Sequence, residues 1–279
     1  MKQIIQERQK ISQVWRAGRL LAGKTQIDLA RALEISQSNV SKIESMLLEP
    51  SAVDWYKFCQ LVGIDAHRSW ELGFIDGCTK FKSKLHMTSL FKMPMKYRGD
   101  FALKVRDLIP FKECVINELN EKAWEDYLKE VKIEPEVFWI YDFQISFNFL
   151  LDLQVWSQKR NLKIFDKVRK YSANLENHGV LKENYSRKKT STALLQDLLA
   201  NQAYYQRVFK IETSESASGL KVKLNIEPEV LDVFGEKELN PYLLQKIQSF
   251  QEMIKKNSDF TGKFDLADNG CEFYVKLSA

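Results

Sequence analysis

The sequence predicts a mostly α chain, in which a helical N-terminal head precedes a larger α+β body that closes with two β-hairpins. Three observations carry this. Residues 24–51 hold two short helical patterns joined by a tight turn. From 100 to 206, apolar residues recur in helix-length segments punctuated by Pro and Gly. After 206, alternation in Lys221–Glu227 and the turn signal Asp268-Asn269-Gly270 mark strands. The 279 residues, 44% hydrophobic and 28% charged, are those of a globular protein that buries a core.

In the head, Thr25 is a good N-cap with Asp28 three residues on, and the first short helix runs from there to Leu33. The chain turns through Glu34, Ile35 and Ser36, and Ser36 caps a second helix that opens with Gln37. Ile27, Ala30 and Leu33 are expected to face inward on the first helix, and Val40, Ile43 and Leu47 on the second. The outward residues of the second are then Gln37, Ser38, Asn39, Ser41 and Lys42. Gln and Asn can pair with an adenine edge, Ser donates or accepts, and Lys suits guanine or a phosphate, so this face has the side chains that reading a major groove requires.

These residues resemble the Cro-like phage-repressor helix-turn-helix (XRE) family over residues 9–64. The resemblance rests on Arg19, Thr25 with Gln26, Leu29 with Ala30, the serine-rich stretch Ser36–Ser41, Ile43 with Glu44, and Pro50. It implies a five-helix repressor-type domain that binds double-stranded DNA. It further implies that Gln26 grips a phosphate and supports Gln37, that Gln37, Ser38 and Asn39 face base edges, and that Arg19 and Glu44 form a structural ion pair. The family usually has glycine in the turn where this chain has Glu34; a non-glycine residue held left-handed there costs about 1–2 kcal/mol.

A head at 1–76 leaves most of the chain for a second domain. Between Lys80 and Arg98 stand Lys80, Lys82, Lys84, Lys92, Lys96 and Arg98 with no acidic residue, and Met93-Pro94-Met95 breaks any long helix. Residues 77–99 thus read as a basic linker. It is either an arm whose Lys80, Lys82 and Lys84, with Lys24 of the head, touch phosphates, or a solvated connection whose Phe81, Phe91 and Tyr97 pack onto the body. As an arm, it would also offer those rings for base stacking.

The body spans 100–279. Pro110 is expected to open a helix over 111–120, and a second helix over 121–133 stops before Pro135. Residues 137–146 are extended or a buried helix. Ser146 is expected to cap a strongly apolar helix over 147–160, and another helix closes near Gly179. A helix over 190–206 leads into the first hairpin, helices over 228–235 and 240–256 follow, and the second hairpin ends the chain. The aromatic cluster Phe138, Trp139, Tyr141, Phe143, Phe147, Phe149 and Trp156 is core or the lining of a ligand pocket. Glu121, Glu125, Asp126 and Glu130 lie at helical spacing among lysines, as on a solvated face.

No Gly-rich phosphate loop, nucleophile elbow or zinc-binding spacing is present, and Cys59, Cys78, Cys114, Cys271, His67, His86 and His178 are scattered. No catalytic residue, metal or cofactor is therefore expected. The polar N-terminus and the lack of a long apolar run predict a cytoplasmic protein without a membrane span. The functional expectation is a sequence-specific transcription regulator that binds double-stranded DNA, a homodimer whose body is open to a small ligand or a protein signal. Two rivals are a regulator with a helical peptide- or small-molecule-receptor body, and a scaffold protein that borrows the head.

Overall fold

The structure is a computed structural model and describes residues 2–75, 90–99, 101–178, 181–188, 190–216, 219–258, 263–266 and 272–276. The chain divides into two compact units, 1–95 with 128–144, and 96–127 with 145–279. The first takes in 128–144, which the sequence reading assigns to the body.

The first unit opens with five helices: α1 (Lys2–Leu21), α2 (Gln26–Leu33), α3 (Gln37–Glu44), α4 (Ala52–Val62) and α5 (Ala66–Leu72). Side-chain caps start four of them: Thr25, Ser36, Ser51 and Asp65 each accept a backbone N–H of the first turn. The core is aromatic, with the Trp15 ring stacked on Phe58 at 4.4 Å between centroids. Gly18 permits that approach, because a Cβ there would lie 2.5 Å from the Phe58 ring. After α5, Ile75 bridges to the returning segment: its N–H donates to the Trp139 carbonyl at 2.7 Å and its carbonyl accepts from Tyr141 at 3.0 Å. Phe74 stacks on Tyr141, with centroids 3.5 Å apart and planes at 7°. Arg16 on α1 pairs with Glu136 at 2.7 Å.

The second unit begins with a short strand, β1 (Ala102–Lys104), paired with β2 (Gln144–Ser146). Its helices are α6 (Val105–Glu118), α7 (Glu121–Glu130), whose last residues belong to the first unit, α8 (Asn148–Gln158), α9 (Ile164–Ser172), α10 (Leu181–Ser186), α11 (Ser191–Tyr205), α12 (Pro228–Phe234) and α13 (Glu236–Asn257). Helices α6, α9 and α13 pack together. Glu118 at the end of α6 takes hydrogen bonds from Lys167, Lys170 and Tyr171 of α9, and those from the two lysines hold its carboxyl down at about 2. Strands β3 (Phe209–Ser216), β4 (Gly219–Ile226), β5 (Lys263–Leu266) and β6 (Glu272–Lys276) form one antiparallel sheet in the order β3-β4-β6-β5, with Val222 opposite both Thr213 and Phe273. Leu220, Val222 and Leu224 are buried while Lys221 and Lys223 are not, which is the alternation the sequence shows.

The chain is mostly α with two C-terminal hairpins, as expected, but several details differ. Pro110 lies inside α6, which already starts at Val105. Pro241 likewise lies inside α13. Each is the sixth residue of its helix, so it deletes only a hydrogen bond to the second residue, and the apolar faces beyond it are buried. Ser146 is not the N-cap of α8; Phe147 is, and the Ser146 hydroxyl accepts from Asn148 N at only 3.4 Å. Residues 137–146 are neither one strand nor one helix: a 3-10 turn over Pro135–Trp139 leads to the three-residue β2. The aromatic cluster serves as core in two places. Phe138, Tyr141 and Phe143 are buried in the first unit, and Phe147, Phe149 and Trp156 in the second. Glu121, Glu125, Asp126 and Glu130 are exposed. Among the described residues no helix is long and apolar enough to cross a membrane.

Candidate nucleic-acid interface

Helices α2 and α3 and their turn present the exposed polar face. At Thr25 both halves of a capping box form: Asp28 N–H donates to Thr25 Oγ1 and Thr25 N–H to Asp28 Oδ2, each at 3.1 Å. Hydrogen bonds from Thr25 to the Asp28 carboxylate hold that acid below its usual range. Glu34 occupies the left-handed region at φ 60°, where the resemblance puts glycine. Its strain is offset by closing the helix, since the Glu34 N–H reaches the Ala30 and Arg31 carbonyls and Ile35 N donates to Ala30 O at 3.0 Å. Ser36 Oγ accepts from Asn39 N at 3.0 Å and starts α3.

Two inward assignments are corrected. Ile27 is 59% exposed, and Leu29 takes its place in the core with Ala30 and Leu33. Steps of three residues fall about 60° short of a full turn, so a face that follows them drifts round the helix. Val40 and Ile43 are buried but Leu47 is 78% exposed. Helix α3 ends at Glu44, and Met46 at φ 62° turns the chain outward before Leu47.

At about 100° per residue, Ser38 and Lys42 lie opposite the buried Val40 and Ile43, with Ser41 beside them. Gln37 and Asn39 flank this line on its two sides. Gln37, Ser38 and Lys42 are exposed, and Asn39 and Ser41 half-buried.

Behind Gln37 runs a chain of hydrogen bonds. Arg19 Nε and NH2 donate to the two Glu44 oxygens at 2.5 and 3.1 Å, and its NH1 donates to the Lys24 carbonyl at 2.8 Å. Both side chains are about nine-tenths buried. The second Glu44 oxygen also accepts from Gln26 Nε2 at 2.8 Å, and Gln26 Oε1 accepts from Gln37 Nε2 at 2.8 Å. A carboxylate can only accept, so Glu44 decides which way the Gln26 amide faces, and Gln26 in turn decides it for Gln37. Gln37 keeps its Oε1 and one N–H for an outside partner, the pair of groups that matches an adenine edge. Gln26 keeps one N–H, enough for a phosphate oxygen.

Residues 16–67 match the helix-turn-helix family model. The head is a helix-turn-helix domain of the Cro/C1 type. The match supports DNA binding and transcription regulation at the level of the family, and the body lies outside it. No curated protein and no solved structure matches the chain.

The basic residues that follow the helix-turn-helix domain are only partly in view. Lys80, Lys82 and Lys84, with Phe81, Cys78 and His86, lie outside the described residues. Lys96 is held by Asp152 at 2.6 Å, and Phe91 and Tyr97 are buried at 1% and 0% exposure, so neither ring is free to stack on bases. Sequence reasoning had no local signal for the link from Gln26 to Glu44: the two are on different helices, and only the family resemblance put Glu44 beside Arg19.

Proposed function

We propose that the chain is a sequence-specific, cytoplasmic transcription regulator that acts by binding rather than by chemistry. The observation that carries the reading is the fixed Gln37 amide on the exposed side of α3, anchored through Gln26 and Glu44 to buried Arg19. Helix α3 enters the major groove, where Gln37, Ser38 and Asn39 meet base edges and Ser41 and Lys42 extend the contact. Gln26 and Lys24 bind phosphates alongside it, and so do Lys80, Lys82 and Lys84. Phosphate contacts set the salt dependence of affinity, and base contacts set its selectivity.

Gln37→Ala and Asn39→Ala are each expected to weaken binding to the preferred duplex by about 1–3 kcal/mol, with little change on scrambled DNA. Selected duplexes and gel-shift competition provide the test. An equal loss on all sequences would reverse the assignment of α3 as the reading helix.

A single head buries little surface on a half-site, so the regulator works as a homodimer that places two heads about 34 Å apart on one face of the duplex. Sedimentation of the full chain at micromolar concentration is expected to give a dimer. A species that stays monomeric both free and on a duplex with two half-sites would count against this arrangement.

A further inference from the structure

The second unit buries an ion pair that groove recognition does not use. Lys246 on α13 donates to Asp107 Oδ1 on α6 at 3.2 Å, with 8% and 6% of the two side chains exposed. Gln202 on α11 donates to the same oxygen at 3.1 Å. Among the described residues, Asp107 Oδ2 and Gln202 Oε1 have no hydrogen-bond partner. Lys246 makes this one hydrogen bond among the described residues, with its ammonium also over the Tyr242 ring at 5.4 Å, which leaves two of its three N–H donors without a hydrogen-bond acceptor there. Burying two ions costs about as much as their attraction returns, and an apolar pair of similar volume would hold the helices at least as well. Stability therefore does not explain these residues.

All three side chains line one cavity of about 40 Å³, which is also lined by Arg106, Ser249, Pro110, Leu198, Phe250 and Met253. One water needs roughly 10–15 Å³, so the space exceeds that of a single molecule. His178 also borders it. Its Nε2 lies 2.7 Å from the Ser172 carbonyl, and burial pulls its pKa below the ordinary value, so at neutral pH it adds no charge. The polar wall thus offers ammonium donors next to two acceptors, with the Arg106 guanidinium as a second cation, facing a short apolar wall.

We propose that this cavity binds a small amino acid or hydroxy acid. Its carboxylate lies on Lys246, its amino or hydroxyl group donates to Asp107 Oδ2 and Gln202 Oε1, and its short carbon chain packs against Leu198 and Met253. A carboxylate alone would leave the two acceptors unmet, and an amine alone would leave the ammonium unmet. The site is met by both groups on one small molecule.

The experiment is thermal melting of the full-length protein with millimolar L-alanine, L-serine or L-lactate, and with acetate or ethylammonium as single-group controls. A saturable rise in melting temperature is expected with at least one two-group probe and with neither control, since a ligand that binds only the folded state raises stability by mass action. Lys246→Met should abolish the rise. If that variant does not melt cooperatively, Gln202→Met, at a half-buried position, takes its place and should weaken binding at least tenfold. No rise with any two-group probe would mean that the cavity holds water only. A rise with the controls too, or one that survives in the variants, would place the binding elsewhere; each result overturns the proposal. No DNA is present in the assay, so its outcome is separate from that of groove recognition.

Discussion

Glu44→Ala is expected to destabilise the first unit by about 3–5 kcal/mol, because it leaves a buried guanidinium without its counter-charge. Arg19 is only 9% exposed, and among the described residues its other acceptor is the Lys24 carbonyl at 2.8 Å. The same substitution removes the acceptor that orients Gln26. Since domains of this size are stable by about 5–15 kcal/mol, the variant should lose much of its cooperative melting and bind all DNA poorly at growth temperature. Glu44→Gln is the informative companion. It keeps the volume but can face Gln26 with either end of its amide, so the Gln37 amide is no longer held one way round. Selectivity should then fall by more than affinity for scrambled DNA. Denaturant titration and competition binding on the two variants separate these effects. An alanine variant that melts like the parent would show that the ion pair contributes nothing to folding.

The second large effect is expected far from the motif. Tyr141→Ala should cost the first unit about 3–5 kcal/mol, in the range for removing a large buried aromatic. Tyr141 is 6% exposed, its ring lies flat on Phe74, and its backbone N–H donates to Ile75. The loss should appear in the melting of the head and in DNA binding at raised temperature, with the selectivity of Gln37 unchanged in whatever fraction is folded. Full retention of stability would mean that the returning segment only rests on the head.

The helix-turn-helix was legible because its instructions are local. Thr25 with Asp28 and Ser36 with Asn39 settle the helix starts within four residues, and the polar run from Gln37 to Lys42 shows the open face. Glu34 was marked as a strained position only by the resemblance, which puts glycine there, and it is left-handed. The rest depends on residues far apart in sequence. Nothing near Tyr141 announces Phe74, and nothing near Asp107 announces Lys246. Prolines misled for a related reason: a local rule starts helices at Pro110 and near Pro241, whereas burial of Val105, Leu108 and Leu239 extends both helices backwards. The body hairpins were foreseen one at a time, but their joining through β4 and β6 was not, because a strand's pattern does not name its non-local neighbour.

The discontinuity of the first unit also bears on how the protein is made. A ribosome releases the chain from its N-terminus, and such domains tend to fold as units in that order. Here the five head helices emerge well before residues 128–144, and in the meantime Phe74 and Ile75 lack the partners that Tyr141 and Trp139 supply. The nascent head therefore waits, incomplete, through the synthesis of 96–127, which belong to the other unit. The first unit is thus complete only once residue 144 has emerged, about halfway along the chain, and a message truncated before it would leave Phe74 and Ile75 without these partners.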